Sequence, residues 1–578
     1  MKTISLSHSF LALILISALA GFVYLPAFPG FFILDDIGQL FEHELTHKPL
    51  RALSLDPLAA ISQRPMARVL FYIIFHVLGE SAADFKMVGL VLHLFNGLWV
   101  FLILRLILNQ AVPRESQSNL LSVIGAAVFI LHPIQTSTVN YAAQSMTLLA
   151  CGFLLLCLFT YLKARLAKRI TSIIIWLFLA IIFSLASLLS KGVTIIFPFM
   201  LLGVEAVLDL TRKGNGWIKY IHLSVGAIAV AAFFFIDNKY FDANQINQWQ
   251  YIQQQPIAWI KYLSLIFWPF NMSFHHPNTH LQGAVGVLLG ASFLIGIAIC
   301  WVGRKHHLIL SLGALFFIAA LLPESIIPLK DQIVEHRVYI PMIGFTMVIV
   351  SMLNIFLKKS PYFIYAIYVL PFFLATMTYS QNQKWKSEDA LWSDVINKHP
   401  NSYRALHHFG NKALSDGDLL TAKKHFIDAL QSNPSHAASL NSLATVYLEM
   451  NDVKSAKIFL DMADHLEVDN HITKLNLGYV YERLGIEESA EFNYREAARI
   501  CTRCSDPHIF LGTLYFQQKK YQRAERQFEI AIKKYPLRAR ALFNLAKTKE
   551  QLNKPIERDE FYRQIEVIDP VYFQNSSK

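Results

Sequence analysis

The chain has 578 residues, of which 54% are hydrophobic and only 16% charged, and its formal net charge is +11. Soluble domains carry about a quarter of charged residues, so this composition argues against a wholly soluble protein. The positive charge does not indicate nucleic-acid binding, because many basic residues lie in short loops between apolar runs and no nucleic-acid-binding motif is present. Residues 1–380 hold most of the apolar runs, and we expect a membrane domain there, followed by a soluble domain.

The first apolar run extends from about Phe10 to Leu34. Ala18-Leu19-Ala20 resembles a signal-peptide cleavage site. The run continues well past Ala20 and is long enough to span a bilayer. We therefore expect an uncleaved first helix.

Two adjacent carboxylates, Asp35 and Asp36, follow this run. Carboxylates beside a membrane are costly and usually mark chemistry or transport. The pair predicts a catalytic base, and Asp36 is preferred because it lies further from the apolar run and is expected closer to solvent. Two alternatives remain: the pair caps the next helix, or it holds a divalent ion such as Mg²⁺ or Mn²⁺.

The apolar runs predict eleven membrane spans. They lie at about 9–29, 84–107, 118–132, 143–163, 170–190, 193–210, 219–236, 281–302, 307–322, 340–357 and 361–379. Two further apolar stretches, 65–79 and 257–270, are near the lower length limit for a span. We expect these two to lie along the membrane surface or to re-enter it.

Alternate connections carry the basic residues, which places the N-terminus in the cytoplasm by the positive-inside rule. These residues are Arg105, Arg114, Lys163, Arg165, Lys168, Arg169, Arg212, Lys213, Lys219, Arg304, Lys305, Lys358 and Lys359. The unusual polar motifs and the C-terminal domain then fall on the opposite side. This clustering predicts an active site at the extracytoplasmic face.

Residues 402–570 repeat with a period of 34, and small residues and bulky apolar residues recur in step. The recurring positions are Gly410, Ala444, Gly478, Gly512 and Ala546; Ala422, Ala456, Ala490 and Ala524; and Phe426, Leu460, Tyr494, Phe528 and Tyr562. This is the tetratricopeptide signature, and it predicts five helix–turn–helix units in an α-solenoid. Such a solenoid binds a partner protein or serves as a structural appendage. A short amphipathic connector, 381–401, precedes it, with Trp385 and Trp392 expected in an interfacial aromatic belt.

Five cysteines are present, and two of them form a C-x-x-C motif, Cys501 and Cys504, inside the repeats. Two ligands are too few for a closed zinc site. A local disulfide is the expected use in an oxidising compartment, and a free thiol pair is the alternative.

Nine short motifs occur in a fixed order along the chain. They are Phe31 to Asp36; Gln63-Arg64-Pro65; His93 to Asn96; Leu131 to Thr136; Gln144-Ser145-Met146; Leu189-Ser190-Lys191; Trp268-Pro269; Glu335 to Pro341; and Trp385 with Leu391-Trp392. Together with the repeats they resemble the integral-membrane glycosyltransferases of the GT-C fold. The subgroup is that of the transmembrane and tetratricopeptide repeat-containing O-mannosyltransferases and their bacterial relatives. The chain departs at Ser145 and Gly192, where those relatives usually carry Arg and Glu, which bears on the donor contacts and on any metal site.

The resemblance implies an all-α protein with a polytopic GT-C-type domain and a polyprenyl-phosphate-linked sugar as donor. Asp35 and Asp36 are then the catalytic pair, and the other motif residues are candidates for binding the donor and its phosphate: Arg64, His132, Gln144, Lys191, Glu335, His336, Arg337 and Tyr339. The structural alternative for Arg64 and Arg337 is an ion pair, and for the histidines it is ordinary hydrogen bonding. His93 and Asn96 are expected to pack inside a helix bundle.

The expected function is sugar transfer to a hydroxyl, on Ser or Thr of a secreted or surface protein that the repeats bind. The expected location is the bacterial inner membrane, with the repeats in the periplasm. One alternative is a glycosyltransferase of the same fold with a glycolipid or lipid A-type acceptor. Another is a non-enzymatic membrane scaffold for envelope assembly.

Overall fold

The computed structural model describes most of the chain, in two units. The described residues are 5–34, 36, 40, 63–112, 114–197, 201, 205, 248–277, 290–291, 296, 298–299, 302–303, 307–329, 331–360, 362–535, 539–569 and 572–573. The chain divides into two compact units, Met1–His399 and Pro400–Lys578. The described residues of both units form helices and no β-strand.

Twelve α-helices are described in the first unit. They are α1 (Leu6–Tyr24), α2 (Pro65–Ile73), α3 (Ala82–Ala111), α4 (Glu115–Leu131), α5 (Thr136–Asn140), α6 (Ser145–Leu166), α7 (Ile170–Ser190), α8 (Gln248–Phe267), α9 (Leu308–Ile326), α10 (Pro341–Lys359), α11 (Phe363–Lys384) and α12 (Glu388–Lys398). Local sequence sets several of the boundaries. Ser81 and Asp84 form a capping box that begins α3. Pro133 interrupts the chain between α4 and α5, which bend by 46°.

Seven described helices are long and apolar enough to cross a membrane, and the bent pair α4–α5 would make an eighth. These eight segments coincide with eight of the eleven predicted spans. The other three, 193–210, 219–236 and 281–302, fall mostly outside the described residues. The stretch 65–79 forms a short apolar helix, and 257–270 belongs largely to α8, which contains Pro256.

Large apolar side chains remain exposed along α1, α7 and α11, including Ile14, Phe178 and Phe372 at 62–68% exposure. The inner faces of these helices pack into one large hydrophobic cluster with α3, α4 and α6. An apolar surface of this kind is rare in soluble proteins and common where lipid or a partner covers it.

Helices α9 and α10 cross at two facing glycines. A Cβ on Gly313 would lie 2.5 Å from the carbonyl oxygen of Gly344, and a Cβ on Gly344 would lie 2.5 Å from the carbonyl oxygen of Gly313. Small residues at a crossing let two helix backbones approach closely. This contact fixes the C-terminal half of α9 against the segment that leads into α10, and both contribute charged residues to the site described below.

Two expectations about the first unit are wrong. Trp385 and Trp392 are 1% and 2% exposed, so they pack inside the unit and form no interfacial belt. Phe274 packs against both indoles. Arg165 was counted among the loop cations, yet it lies within α6 and pairs with the buried Glu205, its Nε donating to Oε1 at 2.8 Å. Buried charges are stable only when paired in this way, so Arg165 says little about topology.

The second unit contains five antiparallel helix pairs among its described residues. The helices are α13 (Tyr403–Ser415), α14 (Leu419–Ser432), α15 (Ala437–Glu449), α16 (Val453–Leu466), α17 (His471–Arg483), α18 (Glu487–Ile500), α19 (Asp506–Gln517), α20 (Tyr521–Lys534), α21 (Ala539–Gln551) and α22 (Pro555–Ile568). Each pair matches one of the five predicted repeats.

Packing within the pairs explains the period of 34. A Cβ on Gly410 would lie 2.6 Å from the Phe426 ring, and one on Gly512 would lie 2.5 Å from the Phe528 ring. Ala422, on the second helix of its pair, is fully buried. The small residue leaves room for the aromatic ring of its partner helix, and repetition of this contact stacks successive pairs.

Candidate functional site

Asp36 is a buried anchor for a polar turn. Its Oδ2 accepts from the backbone N–H of Ile33 at 2.9 Å, and its Oδ1 accepts from that of Ala143 at 2.7 Å. The side chain is completely buried, so the expectation that Asp36 lies close to solvent is wrong. The physical reason is that the loop folds back under α6 and does not lead outward. Asp35 lies outside the described residues.

Lys86 lies beside this carboxylate and is almost completely buried. Its Nζ donates to the carbonyl oxygen of Ala27 at 3.1 Å and lies 5.0 Å from the ring centre of Phe31 and 5.7 Å from that of Trp385. Cation–π contacts and a nearby carboxylate make a buried ammonium tolerable. The sequence reasoning missed Lys86, although a lysine inside a predicted span was a visible signal.

Residues 142–147, here called the 142–147 turn, connect the acidic loop to the basic residues. The turn consists of a 3₁₀ turn, Ala142–Gln144, and the first residues of α6. Ala143 binds Asp36, Met146 accepts from Arg64 Nη1 at 3.1 Å, and Thr147 accepts from Lys191 Nζ at 2.9 Å. Gln144 Oε1 accepts from Thr147 at 2.6 Å. Three candidate residues distant in sequence therefore converge on six consecutive residues.

Arg64 precedes α2 in an unusual backbone conformation. Its φ is 52°, in the left-handed region that few residues other than glycine adopt. The following Pro65 disfavours a right-handed helical conformation at the preceding residue and begins α2. Backbone strain of this kind costs about 1–3 kcal/mol and is concentrated at functional sites.

Lys191 and Arg337 lie on either side of Glu324, which comes from the end of α9. Glu324 Oε1 lies 3.7 Å from Lys191 Nζ, and its Oε2 lies 3.4 Å from Arg337 Nε. Arg337 also donates to the carbonyl oxygens of Gln332 at 3.1 Å and Asp331 at 2.8 Å. Glu324 was not predicted, because it lies at the end of an apolar run without a motif around it.

Arg64, Lys191 and Arg337, here called the cationic cluster, act on one another electrostatically. Burial lowers the pKa of Lys191, Glu324 opposes that effect, and Arg64 and Arg337 lower the pKa further. Burial would also lower the pKa of Arg337, but Tyr262, Glu324, Tyr251 and Asp331 raise it overall. Around the Lys191 ammonium, three cations including itself face a single carboxylate, so positive charge is in excess there.

His336 lies next to this cluster and is neutral at physiological pH. Burial lowers its pKa well below 6.5, and Lys191 and Arg337 lower it further. Its Nδ1 is buried and has no hydrogen-bond partner among the described residues. A neutral imidazole in this position is able to exchange a hydrogen bond with a bound molecule without adding charge.

The remaining candidates lie in other hydrogen-bond networks. His132 Nε2 donates to the carbonyl oxygen of Ile266 at 2.9 Å, and its Nδ1 accepts from Ile134 N–H. Glu335 Oε1 accepts from the backbone N–H of Ser273 at 2.7 Å and lies 3.1 Å from His276 Nε2. These contacts give His132 and Glu335 structural roles in the described geometry.

Tyr339 belongs to a buried network between helices. Its hydroxyl lies 2.8 Å from His93 Nδ1 and accepts from Asn96 Nδ2 at 3.1 Å. Asn96 also donates to the carbonyl oxygen of Leu148 at 2.9 Å. His93 and Asn96 are therefore packing residues, as expected, and Tyr339 joins them.

The described part of the acidic loop does not form a divalent-ion site. Both oxygens of Asp36 accept backbone N–H groups, and its nearest described charge is the ammonium of Lys86. Hard divalent cations require several oxygen ligands. Across the described residues, one group of three or more His, Cys, Asp or Glu side chains has metal-binding spacing, and it lies in the second unit: His471, Cys501 and Cys504. Cys501 and Cys504 are joined there by a disulfide.

Comparison with known proteins identifies the repeats. Residues 511–554 match the family model described as tetratricopeptide repeat. Human tetratricopeptide repeat protein 6 is 23% identical over 210 residues, which cover 35% of this chain and 40% of that protein. Anaphase-promoting complex subunit 3 of Schizosaccharomyces pombe is 23% identical over 193 residues, covering 32% and 29%.

An uncharacterized protein of Haemophilus influenzae is 33% identical over 90 residues, which cover 16% of this chain and 50% of that protein. The chain therefore spans half or less of the length of each of these relatives. Among solved structures, that of MamA protein has a TM-score of 0.26 at 17% identity, covering 30% of this chain and 96% of that one. That of Pseudomonas aeruginosa pilF has a TM-score of 0.29 at 16% identity, covering 34% and 90%. The family match and the five helix pairs show that the second unit carries tetratricopeptide repeats.

Proposed function

We propose that this protein is a membrane glycosyltransferase that moves a sugar from a polyprenyl-phosphate donor to a hydroxyl acceptor outside the cytoplasm. The single observation that carries the proposal is the cationic cluster. Arg64, Lys191 and Arg337 come from three distant parts of the chain and converge where one carboxylate, Glu324, offsets them. Partly buried cations in excess are costly without an anion, and a sugar phosphate supplies one.

The cluster is suited to stabilise phosphate as it leaves. Guanidinium groups bind phosphate oxygens with two parallel hydrogen bonds, and an ammonium adds a mobile point charge. Charge that develops on the leaving oxygen would be met by these groups without a general acid. The neutral His336 beside them supplies a hydrogen bond to the sugar or to the acceptor.

Asp35 is the proposed general base, and Asp36 is proposed to hold the loop that presents it. The acceptor hydroxyl gives its proton to the Asp35 carboxylate while its oxygen attacks the anomeric carbon. The bond from that carbon to the phosphate oxygen breaks, and its electron pair leaves with the phosphate. The two hydrogen bonds that Asp36 accepts support the anchoring role, and no step requires a metal.

Membrane insertion is supported by the seven or eight long apolar helices and by the apolar side chains exposed on α1, α7 and α11. The loop cations place the N-terminus in the cytoplasm by the positive-inside rule. Omitting Arg165 leaves Lys163, Lys168 and Arg169 at that loop. We therefore place the acidic loop and the repeats outside the cytoplasm, in the periplasm of a bacterial cell.

The repeats are proposed to bind the protein whose Ser or Thr hydroxyl is modified. Tetratricopeptide arrays present extended surfaces built from repeated helix pairs, and these surfaces bind partner chains. A glycolipid acceptor would use the same cluster but would not require the repeats. A non-enzymatic scaffold would use the repeats but would not require the cluster.

Sugar transfer by charge variants tests the proposal. Lys191→Gln and Arg337→Gln should each lower transfer from a polyprenyl-phosphate sugar by roughly 10- to 100-fold, because a hydrogen bond to a charged group contributes about 1.5–3 kcal/mol. The matched control is Lys163→Gln, whose ammonium contacts the Phe159 ring at the other end of α6. Wild-type transfer by both cluster variants would reject the donor assignment and favour the scaffold.

A further inference from the structure

The turn that ends the third repeat contains a third potential metal ligand. One ligand atom each from His471, Cys501 and Cys504 lies within 4.8 Å of the other two. His471 is thirty residues from Cys501 in sequence, so only the fold brings the imidazole to the cysteine pair. All three side chains are partly exposed, which leaves the group accessible to an ion from solvent.

The repeat architecture creates this proximity. His471 is the first residue of α17, and Cys501 directly follows α18, the antiparallel partner of α17. The start of one helix and the end of the other therefore lie together. Cys504 N–H donates to the carbonyl oxygen of Cys501 at 3.3 Å, which closes the turn, and the two Cα atoms are 5.4 Å apart.

We propose that His471, Cys501 and Cys504 form a redox-controlled zinc site. When the cysteines are reduced, two thiolates and one imidazole bind Zn²⁺, a ligand set that this ion favours. Three protein ligands leave a fourth position for water or for a side chain of a partner. When the cysteines are joined, as in this structure, neither sulfur is a thiolate and the ion is not held.

Thiol–disulfide exchange converts one state into the other. A disulfide-bonded oxidant accepts two electrons from the two cysteine thiolates and leaves as two thiolates, while the Cys501–Cys504 bond forms and Zn²⁺ is released. The reverse reaction consumes a dithiol reductant and restores the ligands.

The two states should differ in the stiffness of the third repeat. The disulfide closes only the short turn between residues 501 and 504. The bound ion would also fasten α17 to that turn through His471. Ligands that bind only the folded state stabilise it by mass action, so zinc should protect α17 from opening, whereas the disulfide alone should not.

Cobalt titration of the full-length protein in detergent tests the site. After reduction and removal of bound metal by a chelator, Co²⁺ should bind in a one-to-one complex with a thiolate-to-metal charge-transfer band, and Zn²⁺ should displace it. His471→Asn should weaken Co²⁺ binding at least tenfold, whereas His465→Asn, at an exposed position of α16, should not. The oxidised protein should show no band.

Three results would overturn the proposal. One is the absence of a thiolate band in the reduced wild type. Another is binding of equal strength in the Cys504→Ser variant, which would mean an adventitious ion only. The third is an unchanged affinity in His471→Asn, which would leave the cysteine pair without its third ligand. Circular dichroism of each variant establishes that the repeats remain folded.

Discussion

The two units of this protein are built in opposite ways. In the second unit, neighbouring helices repeat one contact, a small residue against an aromatic ring, and each contact joins residues close in sequence. In the first unit, the cationic cluster joins Arg64, Lys191 and Arg337, which are separated by more than a hundred residues each. Periodicity therefore reveals the binding scaffold, whereas a site assembled from distant segments is revealed only by the fold.

Removing the second unit should separate the two roles most completely. A chain ending at His399, the boundary between the units, should keep a folded helix bundle and bind the lipid-phosphate donor as the full chain does. Modification of the natural acceptor protein should be lost, because the partner-binding surface is gone. Thermal unfolding in detergent and glycoproteomics of a complemented deletion strain measure the two effects.

Acceptor modification at the normal level by this truncated chain would break the comparison. The repeats would then have a structural role, and the glycolipid acceptor would be favoured. Comparison of glycolipids from the same strains identifies that outcome.

The carboxylate pair should show the next largest effect. Asp35→Asn should lower sugar transfer by about 10²–10⁴-fold, the usual effect of losing a general base, without lowering thermal stability. Asp36→Asn should lower both transfer and stability, because the amide replaces a buried acceptor of two backbone N–H groups. Activity assays and unfolding curves of the purified variants distinguish the roles, and unchanged transfer in both variants contradicts them.

One substitution made in both units sharpens the comparison. Gly313→Ala places a methyl group against the backbone of Gly344, and overpacking of this kind costs about 1–3 kcal/mol. It should displace Glu324 from Arg337 and lower sugar transfer roughly tenfold. Gly512→Ala meets the Phe528 ring, and it should destabilise the repeats while leaving donor binding unchanged. Equal effects of the two variants on donor binding would argue against separate roles.

The smallest expected effect concerns pH and the second unit. Burial lowers the pKa of His407 to about 4, with His408 and Arg404 contributing. The unfolded chain binds a proton near pH 6.5 that the folded chain resists, so stability is lost as pH falls from about 6.5 to 4. His407→Asn should reduce this loss by on the order of 1–2 kcal/mol between pH 7 and pH 5. Urea unfolding at the two pH values measures it, with His465→Asn as control and an unchanged loss as the contrary result.

The sequence predicts more of the fold than of the site. The repeat period gave all five helix pairs, since each pair reports its own small and aromatic positions. Eight long apolar helices coincide with predicted spans because length and composition are enough to identify them. Trp385 and Trp392 were misplaced, since a tryptophan after an apolar run has the same local sequence whether it faces lipid or the protein interior.

The site was predicted in residue type but not in geometry. Motif order correctly selected Arg64, Lys191 and Arg337 as charges that lie together, but it also selected His132 and Tyr339, whose polar atoms are occupied by structural hydrogen bonds. Glu324 and Lys86 escaped notice because a single charge in an apolar helix forms no pattern. Burial of Asp36 depends on a contact with Ala143, which is 107 residues away.

Binding of polyprenyl phosphate without a sugar tests the central claim most directly. Full-length protein in lipid nanodiscs should bind this lipid, and Lys191→Gln should weaken binding roughly 10- to 100-fold. Lys163→Gln should bind as the wild type does, which separates the cluster from general attraction between basic residues and anionic lipid. Equal affinity of wild type, Lys191→Gln and Lys163→Gln would contradict the assignment of the cationic cluster as the donor phosphate site.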